Sequence, residues 1–281
     1  MIRRLLTVPN KTDSVIHFDL RYSEGTSQAP VIIILHGFKG FKDWGFFPDL
    51  GTSLARSDYV TLSMNFSKNG IGPDGKSFTA FEDFAANTIS QELEDVQTVV
   101  QAILDGKLGR QVIDPERIGI LGHSRGAAVA LLSALEFKDE IGAVVTWAAV
   151  GNLFRYSDEQ LKQWREQGYL EVESKTLKRP LKVNWSYWQD LEANRDRYDL
   201  PERIKELEAP ALFIHGDADK TIPAEESKLL YENCGAPSKR LEIIENTDHT
   251  FGIRHPFEVG SEAYYIARDL TESWFDHHLK Y

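Results

Sequence analysis

The chain reads as an α/β protein built on a mostly parallel sheet, and three observations predict this. Short, wholly apolar runs such as Val31-Ile32-Ile33-Ile34-Leu35 recur along it. Helix-length segments separate them, and several of the runs end where glycine or histidine opens a loop. Runs without a polar alternate are buried on both faces, and their regular alternation with helices is the pattern of parallel strands joined by crossovers.

In chain order, Leu5–Val8 and Val15–Tyr22 are β-prone and close enough to pair as an antiparallel edge. Further strands are expected at 31–35, 59–64, 118–121, 143–149, 211–214 and 241–244. Residues 88–104 place Leu93, Val96, Val100 and Leu104 on one face of a helix, and Gln91-Glu92-Leu93-Glu94 suits its N-terminal turn. Residues 262–279 form a closing helix. Between the sixth strand and Ala211 lie about sixty residues, far more than one crossover needs. The expected organisation is therefore a core of 1–150 and 201–281 with a small cap, 151–200, inserted after the sixth strand. The insertion is aromatic-rich, holding Phe154, Tyr156, Trp164, Tyr169, Trp185, Tyr187, Trp188 and Tyr198. Most of these are expected to form its own small core, with one or two walling a pocket.

Bulk composition narrows the function classes. The 281 residues carry 32 Lys+Arg against 43 Asp+Glu, a net charge of -11 that opposes nucleic acid and anionic lipid. No run reaches the ~20 apolar residues of a membrane span, the N-terminus does not read as a signal peptide, and the single cysteine cannot form an internal disulfide. The expected setting is the cytoplasm, with a small-molecule ester as partner, no nucleic acid and no membrane. The oligomeric state is left open, a homodimer included.

The chemistry is carried by Gly122-His123-Ser124-Arg125-Gly126, which stands between an apolar run and the helix-forming Ala127–Leu132. A serine in so sharp a strand-to-helix turn sits in a strained conformation with its hydroxyl exposed, and the flanking glycines keep Cβ atoms out of crowded positions. Such a serine needs a base, and the base needs an acid. Ala211–Pro223 is a buried strand ending in a loop with Asp217 and Asp219; Asp219 is the expected acid, with Asp217 or a purely turn-forming role for both as alternatives. Asp248-His249-Thr250 follows the last strand and supplies the expected base, His249. The other histidines fit ordinary roles: His123 is expected to point into the sheet, and it, His36 and His215 to orient loops by hydrogen bonds. An oxyanion would be held by the backbone N–H groups of Arg125 and Phe38, where Gly37 lets the chain turn closely. Gly37, Trp44, Trp185 and Trp188 are candidate substrate contacts, and Lys39, Lys42 and Arg125 candidate cations near the site. No spacing suggests a metal site, and no cofactor is implied.

With His-Gly-Phe at 36–38, Gly-His-Ser-Arg-Gly at 122–126, His-Gly-Asp-Ala-Asp at 215–219 and Asp-His-Thr-Phe at 248–251, the chain resembles the α/β-hydrolase superfamily over nearly its full length. Within it, the chain looks like the dienelactone hydrolase and feruloyl (cinnamoyl) esterase branches. That resemblance implies a cofactor-free serine acyl hydrolase, a carboxylesterase for small or medium esters that include aryl-acrylates. The dienelactone enzymes use cysteine where this chain has Ser124, so their substrate does not transfer. The competing readings are a peptidase like the prolyl oligopeptidases and a catalytically idle binding protein of the same fold.

Overall fold

The computed structural model of the chain describes residues 1–11, 14–174 and 177–280. Eight strands form the main sheet: β1 (Ile2–Pro9), β2 (Val15–Tyr22), β3 (Ala29–Leu35), β4 (Val60–Asn65), β5 (Ile113–His123), β6 (Ile141–Trp147), β9 (Ala211–Gly216) and β10 (Lys239–Ile244). Their spatial order is β1-β2-β4-β3-β5-β6-β9-β10. β2 runs antiparallel to both β1 and β4, and every pairing from β4 to β10 is parallel. β7 (Tyr169–Ser174) and β8 (Arg179–Asn184) form a separate antiparallel pair.

The helices are α1 (Phe47–Arg56), α2 (Phe81–Ala85), α3 (Ile89–Leu104), α4 (Arg125–Glu136), α5 (Asp158–Gln167), α6 (Ser186–Ala193), α7 (Arg195–Tyr198), α8 (Leu200–Arg203), α9 (Ala224–Asn233) and α10 (Glu262–Leu279). α3 starts where Thr88 accepts a hydrogen bond from the Gln91 amide, a side-chain cap that satisfies one of the helix's orphan donors.

The apolar run of β3 divides between two cores. Val31, Ile33 and Leu35 pack with α3 and α4 on one face, while Ile32 and Ile34 pack with α1 and α10 on the other. Both faces being covered explains why this strand shows no polar alternate. Helices on both faces and parallel strand ends at one rim bring the loops after β3, β5, β9 and β10 together there, the place where open α/β sheets hold their ligands.

Between β6 and β9, which are hydrogen-bonded neighbours, the chain leaves the sheet for α5, the β7–β8 hairpin and α6 to α8. Tyr156, Trp164, Trp185, Tyr187 and Trp188 interlock there through edge-to-face and stacked rings. Trp164 is fully buried and donates its indole N–H to the Val183 carbonyl. Among the described residues no helix is long and apolar enough to cross a membrane.

Candidate active site

Ser124 lies between β5 and α4 with φ 58° and ψ −121°, a strained backbone for a residue that carries a side chain. Its amide donates to the Trp147 carbonyl and its own carbonyl accepts from Ala127 and Val150, so the turn is fixed from both sides. The flanking glycines are there for lack of room. A Cβ on Gly122 would stand 2.1 Å from the Gly126 carbonyl oxygen, and one on Gly126 would stand 2.4 Å from that of His36. Gly37 is packed as closely against the serine, since a Cβ there would meet the Ser124 Cβ at 2.9 Å. Phe38 follows in the same loop, and Arg125 opens α4 with an amide that has no acceptor inside the helix.

Three side chains named from separate motifs form one hydrogen-bonded row. His249 Nδ1 lies 2.6 Å from Asp219 Oδ2, and His249 Nε2 lies 3.0 Å from Ser124 Oγ. An ionised carboxylate only accepts, so Nδ1 carries the proton and Nε2 is left to accept from the serine hydroxyl. Burial opposes ionisation of Asp219, but hydrogen bonds from His215, His249 and the Ile222 amide outweigh it and hold the carboxyl below the usual carboxylate range. The amides of Thr221 and Ile222 reach its other oxygen at 2.8 and 2.9 Å. Asp217 is exposed, and its amide pairs with the Ile244 carbonyl.

The neighbouring histidines organise this row. His215 Nε2 donates to Asp219 Oδ2 at 3.1 Å and to the Ile222 carbonyl, while Nδ1 accepts from Ser227. His123 packs against the buried Phe46 and also reaches the loop of the base. Its ring lies 4.8 Å from that of His249 and its Nε2 donates to the His249 carbonyl at 2.8 Å. Burial and the adjacent His249 push the His123 imidazole down to about 3. His36 donates from Nδ1 to the Gly37 carbonyl and accepts at Nε2 from Phe66 and Asn69, and burial lowers it to about 4.

Two lobes open from Ser124. One, of about 460 Å³, is bordered by Gly37, Trp44, Phe47 and Thr250; the other, of about 370 Å³, lies toward the insertion and is bordered by Tyr156, Val183 and Tyr187. The sequence expectation needs correcting at three positions. Trp185 and Trp188 turn into the aromatic cluster of the insertion instead of bordering a lobe, packing edge-on against Trp164, Tyr156 and Phe154. Lys42 is buried away from the site, pinned between Asp19 at 3.2 Å and Asp43 at 2.5 Å. Tyr156 and Tyr187, not singled out among the aromatics of the insertion, stand at the lobe. Among the described residues no group of three His, Cys, Asp or Glu is placed to hold a metal ion.

Comparison with known proteins agrees with this architecture. The putative esterase YitV of Bacillus subtilis (strain 168) is 25% identical over 255 residues, 87% of this chain and 93% of that protein. The uncharacterized peptidase YtmA of the same organism is 25% identical over 130 residues, so this chain spans under half (46%) of its length. Est1E of Butyrivibrio proteoclasticus, solved with ferulic acid bound, superimposes with a TM-score of 0.72 at 18% identity, covering 98% of this chain and all of that one. Its likeness extends to the whole α/β-hydrolase fold. The model of the prolyl oligopeptidase family matches residues 52–280, which include the serine turn and the loops bearing Asp219 and His249. The chain belongs to the prolyl oligopeptidase family of α/β-hydrolases.

Proposed function

We propose that the protein is a carboxylic ester hydrolase that works through an acyl-enzyme on Ser124. The observation that carries this reading is the row Ser124 Oγ, His249 Nε2, His249 Nδ1, Asp219 Oδ2, with gaps of 3.0 and 2.6 Å. Ser124 Oγ attacks the ester carbonyl while its proton passes to His249 Nε2, and the ionised Asp219 stabilises the imidazolium. The carbonyl oxygen becomes an oxyanion held by the Phe38 and Arg125 amides, and the N-terminal end of α4 adds its dipole. His249 returns the proton to the departing alkoxide. Water, deprotonated by His249, then adds to the acyl carbonyl, and Ser124 leaves with that proton. Gly37 and Trp44 contact the arm of the substrate that occupies the first lobe.

Lobes of about 460 and 370 Å³ suit small or medium arms on either side of the scissile bond, and likeness to an esterase that holds ferulic acid supports including aryl-acrylate esters. Family membership and the match to YtmA favour one second reading, hydrolysis of peptide bonds by the same row.

Turnover of p-nitrophenyl butyrate and methyl ferulate, set against aminoacyl and dipeptidyl anilides, separates the two. The ester reading expects ester turnover, labelling by a fluorophosphonate probe, and loss of both in Ser124→Ala with little change in the thermal melt. An unlabelled wild-type protein, or full activity in Ser124→Ala, ends it. Cleavage of anilides without ester turnover selects the peptidase.

A further inference from the structure

The lobe toward the insertion has an uneven chemistry. Its aliphatic walls are interrupted by charged residues of one sign, Lys39, Arg125 and Arg155, and by Tyr156 and Tyr187; among the described residues no carboxylate borders it. The acids paired with the two arginines stand behind the wall, and the Lys39 ammonium donates to the Glu173 backbone carbonyl. Arg125 is paired with Glu92 on α3, which is 1% exposed and also takes a hydrogen bond from Asn87. Arg155 reaches Glu226 on α9 at 3.1 Å, and the other oxygen of Glu226 already accepts the Gly151 and Asn152 amides at 2.8 and 3.1 Å.

Glu226 is thus well supplied with donors, whereas Arg155 spends one nitrogen on it. A guanidinium offers five N–H groups in a fixed plane suited to a second, two-pronged acceptor. At 33% exposure the Arg155 side chain is reachable from the lobe. Apolar walls surrounding donors call for a ligand with an apolar stem and an acceptor-only tip. We infer that this lobe binds the free carboxylate of an ester substrate that carries an acid group on one of its two arms, with Arg155 as its principal partner. The inference rests on the ester reading above and narrows the substrate to half-esters and carboxylate-bearing esters. The protein's net charge of -11 repels anions at a distance, so a preference for an anionic ester has to originate in this local wall.

Two matched pairs of esters test it. p-Nitrophenyl hexanoate against p-nitrophenyl hemiadipate puts the charge on the acyl arm, and phenyl butyrate against 3-carboxyphenyl butyrate puts it on the alcohol arm. In one pair the anionic ester should have a kcat/KM about tenfold above its neutral partner, the gain expected of a charge-assisted hydrogen bond. That ratio should collapse in Arg155→Met, persist in part in Arg155→Lys, and shrink in the wild type as salt rises from about 0.05 to about 0.5 M. Neutral esters preferred or equal in both pairs overturn the inference while leaving ester hydrolysis intact. If no ester turns over, the reading of the preceding section fails instead. Calorimetric titration of Ser124→Ala with the same four esters then decides the lobe by itself: tighter binding of an anionic member upholds the inference, and equal or weaker binding overturns it.

Discussion

His215 and His249 donate to the same oxygen, Oδ2 of Asp219, at 3.1 and 2.6 Å. The carboxylate is therefore held in place by a histidine that never meets the serine. His215→Phe keeps a ring in the buried site but deletes that donor and leaves the Ser227 hydroxyl unpaired. Turnover of p-nitrophenyl butyrate should fall about tenfold, the worth of one buried hydrogen bond. Unchanged kcat would remove His215 from any positioning role.

Asp219→Asn probes the acid directly. The amide offers no fixed acceptor to Nδ1–H, so the imidazole can place its proton on Nε2, facing Ser124, where none is useful. A loss of about 10⁴ in kcat is expected with a near-native fold, as in other serine triads that lose their acid. Asp217→Asn, in an exposed loop, is the control and should turn over like the wild type.

Gly37→Ala tests the closeness of the loop that carries Phe38. The added methyl meets Ser124 Cβ at 2.9 Å and the His123 carbonyl at 3.0 Å, so the loop must retreat. A retreat of a few tenths of an ångström lengthens the hydrogen bond that the Phe38 amide offers an oxyanion. kcat should drop about 10²-fold with a smaller change in KM. A variant as fast as the wild type would displace the Phe38 amide from the mechanism.

Arg125 links several parts of the site. Its guanidinium lies 4.6 Å from the Phe38 ring centroid and is bonded to Glu92. Burial pushes the Glu92 carboxyl up, and the Arg125 charge and Asn87 draw it back. Arg125→Met leaves that acid without its counter-charge, and a loss of about 3 kcal/mol in unfolding free energy is expected. Arg125→Met combined with Glu92→Leu should recover much of it. Urea titrations of the single and double variants measure both, and a double variant no more stable than Arg125→Met would show that the uncompensated Glu92 charge is not what the single variant loses.

His36 makes the fold sensitive to acid. Its folded value near 4 lies below the ordinary 6.5, so the unfolded chain takes up a proton that the folded one refuses. The contribution is fully present above pH 6.5 and is lost as pH falls toward 4, at up to about 1.4 kcal/mol per pH unit. His123, lowered to about 3, adds to the same slope. Asp95, raised to about 6 by burial, works against this slope below pH 6, and in His36→Gln the fall of unfolding free energy between pH 6.5 and 4 should be clearly shallower than in the wild type. An identical slope would show that His36 is already charged in the folded state.

The parts of this protein that were legible from sequence are those where backbone geometry restricts residue choice. β3 is uniformly apolar because both faces are covered, and Gly122 and Gly126 are glycine because a carbonyl stands where a Cβ would be. The β7–β8 hairpin is not among the strands expected from sequence, although Leu170 and Val172 alternate with Glu171 and Glu173, and Leu181 and Val183 flank Lys182. Each strand is only six residues long, too short for a two-residue period to stand out among helices. The lobe's aromatics were illegible for a geometric reason: Tyr187 and Trp188 are adjacent on α6, yet about 100° of helical rotation turns one toward the lobe and the other into the insertion. Likewise Lys39 and Lys42 share a loop, but only contacts from β2 reveal that Lys42 belongs to Asp19.

Because β6 and β9 are parallel neighbours in the sheet, the chain that roofs the second lobe is part of their crossover, leaving at the carboxyl end of one strand and re-entering at the amino end of the other. Such a roof can be lengthened, trimmed or exchanged without shifting the register of any strand. Part of the second lobe's wall, Arg155, Tyr156, Val183 and Tyr187, thereby lies on a stretch of polypeptide separate from the loops of Ser124, Asp219 and His249 and can change while they stay.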